Sequence, residues 1–444
     1  MYFWVYALLV TEFVLFIFAY CSFKGDLASP SIITLSLFIV STVCYCFNLS
    51  IWYNSFGFKA YSLISISFLI MILSEKFISL IKFENKESTI HSAEKQYNNS
   101  LIYIEYPFNR IIFAFLTILV IFYCYRVYQS GVSMGGTGLL AIGTYKESGE
   151  KEGILRLIAN IIRLSSYVFA FIFANNVFLC KQKIKYNLQA FMVVFYRLIM
   201  TFFSGNRIGI FTFSVSVFVM IYTLLNNDPS GKKIEVKKII KKGAVFVLVF
   251  IGFFYVSRNV VKGRNETTTF SYYITYYCGS PLALFGQIVN DPSICHTPFV
   301  GYFGEKTFME MYNDLYHWCI VSEPPADRLM IPVGDISSHI GNCGNEYTIF
   351  AGPYIDFGYF GTIIFIALFY GLFSTIYYSK IKGQVQSVSK CIYCSIYCFM
   401  FSMITLSFYQ DTIRDYCRVI YVFYYAYIFM FCKFFVRFRD NNNK

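Results

Sequence analysis

The chain has 444 residues, of which 57% are hydrophobic, 21% are aromatic and only 14% are charged. A soluble globular domain usually carries about 25% charged residues, so this composition excludes an ordinary soluble domain and favours a membrane protein. The formal net charge of +12 comes mostly from lysines in short segments between apolar runs, so it does not indicate nucleic-acid binding.

Apolar runs of about 20 residues recur along the chain, and each is long enough to cross about 30 Å of hydrocarbon. Because lipid offers the backbone no hydrogen-bond partners, each run is predicted to be an α-helix. The predicted fold class is an all-α polytopic integral membrane protein with about 11 transmembrane helices and an outward N-terminus. The predicted spans are 2–20, 31–48, 59–80, 109–128, 157–179, 187–204, 208–225, 243–257, 351–378, 391–409 and 417–434.

Lysine and arginine concentrate in four segments that fall on one side of the membrane if these spans are correct. The segments are 181–185, 232–242, 380–390 and 433–444. Positively charged loops stay in the cytoplasm, so this side is predicted to be cytoplasmic. Along the chain we predict an N-terminal bundle of about eight helices over 1–257 and a large outward loop over 258–350. C-terminal helices and a short cytoplasmic tail then occupy 351–444.

The outward loop is the one long segment that a hydrocarbon core cannot hold, and it contains three of the four histidines. A carboxylate or a histidine in such a loop can act as a general base. The candidates, with one residue at the re-entry into the membrane, are Glu305, His317, Asp335, His339, Glu346 and Asp356. Any one of them can equally be a solvated or structural group, and an Asp in the first turn of a helix also stabilises the helix dipole.

Arginine is costly inside a membrane and usually faces a polar cavity or a partner there. Arg163, Arg197 and Arg207 lie within or at the ends of apolar spans, and Arg258 lies at the outward end of its span with Arg264 just beyond. Arg207 follows a tight turn for which Gly205 and Asn206 are well suited. Planar guanidinium groups bind phosphate in a bidentate way, so these arginines would form a phosphate-binding pocket if they converge. The alternative is that each one reaches the lipid head groups.

The sequence predicts neither a metal site nor a cofactor. It lacks the phosphate-binding G-x-x-x-x-G-K-[ST] motif, the G-x-S-x-G nucleophile elbow and the H-E-x-x-H zinc motif. Cys391 and Cys394 have the spacing of a zinc-binding pair, but no second pair accompanies them. Four cysteines in or beside the outward loop leave a disulfide open.

Several short motifs, taken in order, resemble the bacterial oligosaccharide repeat-unit polymerases, the Wzy-type O-antigen polymerases. The motifs are Lys24-Gly-Asp-Leu-Ala-Ser-Pro30, Gly205-Asn-Arg207, Gly301-Tyr-Phe-Gly-Glu-Lys-Thr-Phe308, Asn345-Glu-Tyr-Thr348 and Tyr354-Ile-Asp-Phe-Gly-Tyr-Phe-Gly361. The last two, in that order and just before a long apolar span, are the most specific. The resemblance covers nearly the full length of the chain.

This resemblance implies a glycosyltransferase of the bacterial inner membrane that acts on its periplasmic face without a metal or a cofactor. Its donor and acceptor would both be oligosaccharides linked to undecaprenyl pyrophosphate, and a chain-length regulator and a flippase would be partners. The implied general-base candidates are Glu305, His339, Glu346 and Asp356. The implied pyrophosphate-binding residues are Arg197, Arg207, Arg258 and Arg264, and the structural motif residues are Gly205, Asn206, Asn345, Thr348 and Gly358.

Two other classes stay open. A ligase that transfers finished polymer to the lipid A-core shares the topology and the need for cations. A flippase or transporter of lipid-linked oligosaccharides is a further alternative, although an outward loop of about ninety residues is long for that class.

Overall fold

The computed structural model describes residues 2–50, 52, 56–93, 100–147, 153–226, 270–292, 300–325, 347–384 and 386–439. The side chains of 82–93, 207, 270, 272 and 273 are outside the description. The predicted span 243–257 is outside it too, as are the predicted site residues Arg258, Arg264, Asp335, His339, Asn345 and Glu346.

The described part of the chain is almost entirely helical. Its α-helices are α1 (Phe3–Ser22), α2 (Pro30–Cys46), α3 (Phe58–Ala93), α4 (Phe108–Ser133), α5 (Leu140–Glu147), α6 (Gly153–Ala174), α7 (Leu188–Phe203), α8 (Arg207–Asn226), α9 (Phe270–Asn290), α10 (Met309–His317), α11 (Ala351–Ile376), α12 (Val388–Met400), α13 (Ser402–Thr405), α14 (Thr412–Tyr416) and α15 (Ile420–Phe435). Helix α6 continues into a π-helical turn at Asn175–Leu179, and two strands, β1 (Leu101–Ile104) and β2 (Val436–Arg439), pair antiparallel.

Eight helical segments in the described ranges are long and apolar enough to cross a membrane. They are Phe3–Ser22, Phe58–Ile81, Phe108–Ser133, Gly153–Leu179, Ile184–Phe203, Ile208–Asn226, Ala351–Ile381 and Val388–Thr405. Two shorter apolar helices, α2 and α15, coincide with two further predicted spans. The prediction of a helical multi-pass membrane protein is therefore confirmed. The total of about 11 spans and the periplasmic position of the large loop stay predictions.

The described chain forms two compact units, each assembled from separate segments. The first unit comprises Met1–Glu87, Thr268–Ser379 and Met400–Phe423, and the second comprises Ser88–Thr267, Lys380–Phe399 and Tyr424–Lys444. The predicted division at 257/258 and 350/351 follows chain order and stays a prediction.

A buried carboxylate ties three elements of the first unit together. Glu75 of α3 is fully buried, and it accepts hydrogen bonds from the Ser29 hydroxyl (2.7 Å), the Ser31 backbone N–H (2.9 Å) and the Tyr378 hydroxyl (3.1 Å). A carboxylate in an apolar helix is stable only when its oxygens are satisfied in this way. Glu75 therefore fixes the start of α2 and the π-helical turn Tyr377–Ile381, which follows α11, against α3.

Part of the predicted large loop is a buried helix. Helix α9 begins at Phe270 and packs against α2, and its residues 282–286 are buried. Gly279 permits this contact, because a Cβ atom there would lie 2.7 Å from the backbone nitrogen of Tyr45. The apolar run from Pro281 to Val289 buries itself against a neighbouring helix instead of remaining in water.

Candidate functional site

Helix α11 begins with a short segment that a glycine separates from the rest of the helix. Gly358 has φ 67° and ψ −164°, a conformation open almost only to glycine. The two turns before it carry Gly352 and Asp356. This break lets the first turns of α11 point their polar groups at a neighbouring segment while the remainder continues as an apolar span.

Asp356 binds the backbone of the loop that precedes α10. Its carboxylate accepts hydrogen bonds from the backbone N–H of Lys306 (3.1 Å) and from both the N–H and the hydroxyl of Thr307 (2.6 Å each). These contacts join residues about 50 positions apart in the chain. Asp356 thus fixes the Lys306–Thr307 segment against the start of α11.

Glu305 has a similar role one residue earlier. It is fully buried, and one carboxylate oxygen accepts the backbone N–H groups of Val300 (2.9 Å) and Gly301 (3.1 Å). The next side chain, Lys306, is also buried. Two of the predicted general bases, Glu305 and Asp356, therefore lie close together. Each accepts hydrogen bonds from backbone N–H groups of the 300–307 segment.

A third carboxylate, Asp411, reaches the same segment from the other side. Its Oδ2 accepts the backbone N–H of Gly352 at 3.0 Å. A Cβ atom at Gly352 would clash with this carboxylate and would lie 3.3 Å from the Cα of Thr307, so Asp411, Gly352 and Thr307 are in close contact. We call the group Glu305, Lys306, Thr307, Asp356 and Asp411 the loop site.

Asp411 differs from the two predicted carboxylates because only its Oδ2 has a well-directed hydrogen bond within the described residues. The residue is 2% exposed, and its Oδ1 makes no well-directed hydrogen bond within the described residues. Burial raises the pKa of Asp411 to about 7, although the charge of Arg414 acts in the opposite direction. Asp411 is therefore a buried carboxyl group that can gain or lose a proton near neutral pH.

Two arginines follow Asp411 in the sequence. Arg414 is buried, and its Nε lies 3.5 Å from a carboxylate oxygen of Asp415. Arg418 forms a two-point ion pair with Asp314 of α10, in which Nε lies 3.3 Å from Oδ2, and its third nitrogen lies 3.6 Å from Glu310. Arg418 thereby anchors α10 to the segment that carries Asp411.

Aromatic rings lie next to the loop site. The rings of Tyr302 and Tyr312 stack at 4.7 Å, and the side chain of Phe303 is 78% exposed. Burial and the charges of Asp356 and Glu305 raise the pKa of Tyr312, which places this ring near both carboxylates. Exposed aromatic rings beside carboxylates are suited to stacking on sugar rings.

The predicted motif residue Thr348 lies just before α11 in the same unit. Its carbonyl accepts the backbone N–H of Ala351 at 3.0 Å, so it helps to form the first turn. Its hydroxyl is buried and makes no hydrogen bond in the described ranges.

The predicted turn at Gly205 and Asn206 lies in the second unit. Gly205 has φ 64°, and its carbonyl accepts a hydrogen bond from Lys146 Nζ at 2.8 Å. The Asn206 side chain accepts the backbone N–H of Gly209 at 3.0 Å and so caps the start of α8. Arg207 is the first residue of α8, and Arg197 is a half-buried residue of α7. The prediction of a turn is therefore correct, while a phosphate-binding role for the two arginines stays a prediction.

Sequence reasoning missed Asp411, Arg414 and Arg418. A signal was present, because Gln410-Asp-Thr-Ile-Arg-Asp-Tyr-Cys-Arg418 places four charges between two apolar spans. These residues match none of the motifs that carry the family resemblance, and the ion pair of Arg418 with Asp314 joins positions 104 residues apart. Among the side chains that the structure describes, no three His, Cys, Asp or Glu residues are grouped as metal ligands.

No family model matches the chain, and neither the curated proteins nor the solved structures include a match. The class that the fold defines is a helical multi-pass membrane protein.

Proposed function

We propose that the chain is a glycosyltransferase that polymerises undecaprenyl-pyrophosphate-linked oligosaccharide repeat units on the periplasmic face of the bacterial inner membrane. The product is O-antigen or a related surface polysaccharide. The observation that carries this proposal is Asp411, a buried carboxyl group with a pKa of about 7 and only one oxygen in a well-directed hydrogen bond within the described residues, held beside the Lys306–Thr307 segment in a multi-pass membrane protein. The sequence resemblance supplies the substrate class.

Asp411 is the proposed general base. In the reaction, a hydroxyl oxygen of the acceptor sugar attacks the anomeric carbon of the donor glycan. The bond from that carbon to the pyrophosphate oxygen breaks, and the pyrophosphate leaves with the bonding electrons. The hydroxyl proton passes to Asp411, whose pKa near the working pH suits this transfer.

Glu305 and Asp356 are proposed to position the loop and not to take the proton. Their oxygens already accept backbone hydrogen bonds from Gly301, Lys306 and Thr307, so they are occupied in holding the loop, although burial raises the pKa of Asp356. The Tyr302–Tyr312 pair and Phe303 would stack on the sugar rings. This assignment adds a base that the sequence did not predict and keeps both predicted carboxylates at the site.

Arginine side chains are proposed to stabilise the negative charge of the leaving pyrophosphate. Arg197, Arg207, Arg258 and Arg264 keep this proposed role from the sequence. Preorganised cations stabilise charge that develops in a transition state more than they stabilise the ground state. Arg414 is a further guanidinium group close to Asp411.

Gene deletion in the native host, with complementation, tests the proposal. Surface polysaccharide is compared on a gel for wild type, Asp411→Asn and Arg207→Ala, with membrane levels measured by blot. The matched control is Glu323→Gln, an exposed carboxylate of the same loop. We expect the deletion to leave lipid core with a single repeat unit, wild type and Glu323→Gln to restore the ladder, and Asp411→Asn and Arg207→Ala to fail at normal abundance.

The other outcomes separate the remaining classes. Bare core with polymer accumulating on the carrier lipid would replace the polymerase proposal with a ligase. Repeat units retained on the cytoplasmic side would indicate a flippase. A normal ladder from Asp411→Asn would remove Asp411 as the base.

A further inference from the structure

The second unit contains an open cleft that the proposed reaction does not use. Its volume is about 350 Å³, within the range of small-molecule sites. It lies between β1, the π-helical turn of α6 and the start of α7. Five of its lining side chains are amides, and we call it the amide cleft: Asn109, Asn176, Gln182, Asn187 and Gln189.

Buried amides make the back wall rigid. Asn176 accepts the backbone N–H of Ile102 at 2.9 Å and donates to its carbonyl at 2.7 Å. The same Asn176 amide nitrogen lies 2.8 Å from Asn187 Oδ1, and Asn187 donates to Gln182 at 3.1 Å. These bonds hold β1 and the π-helical turn together without any ligand, so the cleft is preformed.

Side chains at the front of the amide cleft can bind a ligand. Gln189 is half-buried, and its amide makes no hydrogen bond within the described ranges. Tyr103 and Tyr186 also line the cleft, and they are 40% and 70% exposed. Amide groups that can both donate and accept, next to aromatic faces, match a ligand that carries several hydroxyl groups.

Basic side chains lie in the segments that form the front of the amide cleft. Lys181, Lys183 and Lys185 alternate along the loop that also provides Gln182 and Tyr186. Arg439 at the end of β2 lines the cleft directly. The nearby acidic side chain of Glu105 is paired with Arg437 at 3.4 Å, which reduces its repulsion of an anion. The cleft therefore favours a negatively charged ligand.

The surroundings place the cleft at the level of lipid head groups. Exposed apolar side chains flank it at the first turns of α4 and α7, where Phe108 is 47% and Leu188 is 54% exposed. Basic groups lie over exposed tyrosine rings, with Lys185 Nζ 4.9 Å from the ring centre of Tyr186 and Arg110 5.3 Å from that of Tyr106. Such pairs of aromatic and basic residues are typical of a membrane interface, and the lysines predict its cytoplasmic side.

We propose that the amide cleft binds the head group of a membrane lipid in which a phosphate carries a polyhydroxylated group. The amides and tyrosines bind the hydroxyl groups, and the lysines with Arg439 bind the phosphate. Two kinds of lipid share this chemistry: a phosphatidylglycerol-type phospholipid and a polyprenyl phosphate linked to a sugar. The proposal is independent of the polymerase reaction.

Native mass spectrometry of the full chain in detergent micelles tests this site. Three probes are added separately: phosphatidylglycerol, phosphatidylethanolamine with the same acyl chains, and a short polyprenyl phosphate that carries one hexose. The variants are Gln189→Glu, which keeps the shape of the side chain and repels phosphate, and Tyr186→Ala, which alters a largely exposed side chain. The matched control is Gln129→Glu, an exposed amide near the other end of α4.

We expect wild type and Gln129→Glu to bind at least one of the two polyol-bearing lipids about tenfold more tightly than phosphatidylethanolamine, and both cleft variants to lose this preference. The lipid that shows the preference identifies the source. Equal binding of all three probes to wild type, or an unchanged preference in both cleft variants, would overturn the proposal. Thermal unfolding of each variant shows whether a loss of binding comes from a loss of fold.

Discussion

The loop site of the first unit and the amide cleft of the second unit satisfy their polar groups in opposite ways. In the loop site, the carboxylates of Glu305 and Asp411 are buried and that of Asp356 is half-buried, and Glu305 and Asp356 accept hydrogen bonds from backbone N–H groups. In the amide cleft, the committed groups are neutral amides in the wall, and the front is open to solvent. A buried charge is costly unless protein groups bind it, whereas an exposed amide can be hydrated by water until a ligand binds. Single substitutions should therefore lower activity or stability more in and around the loop site than they lower stability in the amide cleft.

The largest expected effect tests whether Asp411, unlike Glu305 and Asp356, acts as the general base. Asp411→Asn keeps the side-chain shape but removes the base, so the polymerisation rate should fall by about 10²–10⁴-fold. The measurement is polymer formed per unit of protein in membranes supplied with lipid-linked repeat units. Glu323→Gln serves as the control, and an Asp411→Asn rate within a factor of two of wild type would contradict the role.

The next effect tests the anchor of α10. Arg418→Ala leaves Asp314 largely buried without its ion pair, which should lower the free energy of unfolding by about 3 kcal/mol. The measurement is denaturant unfolding of the purified chain in detergent. The double variant Arg418→Ala with Asp314→Asn removes the orphaned charge and should recover part of the loss. No recovery would mean that the ion pair is not the source of the stability.

A third prediction follows from the pKa of Asp411, which burial raises from 3.8 to about 7. The folded protein holds this proton more tightly than the unfolded chain, so this group makes folding less favourable as pH rises from about 4 to about 7, by at most about 1.4 kcal/mol per pH unit. Thermal midpoints measured at pH 5 and pH 8 should therefore differ less in Asp411→Asn than in wild type. Activity should show the opposite trend and rise towards pH 7. A variant with the same pH slope as wild type would place the titration elsewhere.

A smaller effect is expected at the break in α11. Gly358→Ala forces a Cβ atom into a conformation that is almost exclusive to glycine and should cost about 1–3 kcal/mol. Gly153→Ala is the matched control, since nothing lies within 4 Å of an added Cβ there and its φ is ordinary. Equal thermal midpoints for the two variants would show that the glycine conformation at Gly358 does not contribute to stability.

The smallest effect completes the contrast. Gln189→Leu in the amide cleft should change the free energy of unfolding by no more than about 0.5 kcal/mol, because its amide has no protein partner among the described residues. Denaturant unfolding measures this change beside Arg418→Ala. A loss comparable to that of Arg418→Ala would mean that the cleft is structural.

The sequence predicts the helices well because each apolar run carries its own signal of length and hydrophobicity. It also predicts the turn at Gly205 and marks Asp356 and Gly358, since polar and glycine residues at a span end stand out locally. It does not predict that Asp356 would bind Thr307, that Asp411 would join them, or that α9 would be buried against α2. Those outcomes depend on contacts between distant segments, which no local pattern encodes.

The buried carboxylate of Glu75 has a consequence for how the chain enters the membrane during synthesis. Its donors Ser29 and Ser31 precede it by 46 and 44 residues, whereas Tyr378 follows it by 303. An acidic side chain at the centre of a lone inserting helix costs about 2.5–3.5 kcal/mol, which is an upper limit for Glu75 in the last third of Phe58–Ile81. When α3 leaves the ribosome, α2 is already made and carries the donors that offset this cost. We therefore expect α2 and α3 to pass from the insertion machinery into lipid as a pair, with Tyr378 completing the contact only after most of the chain has been translated.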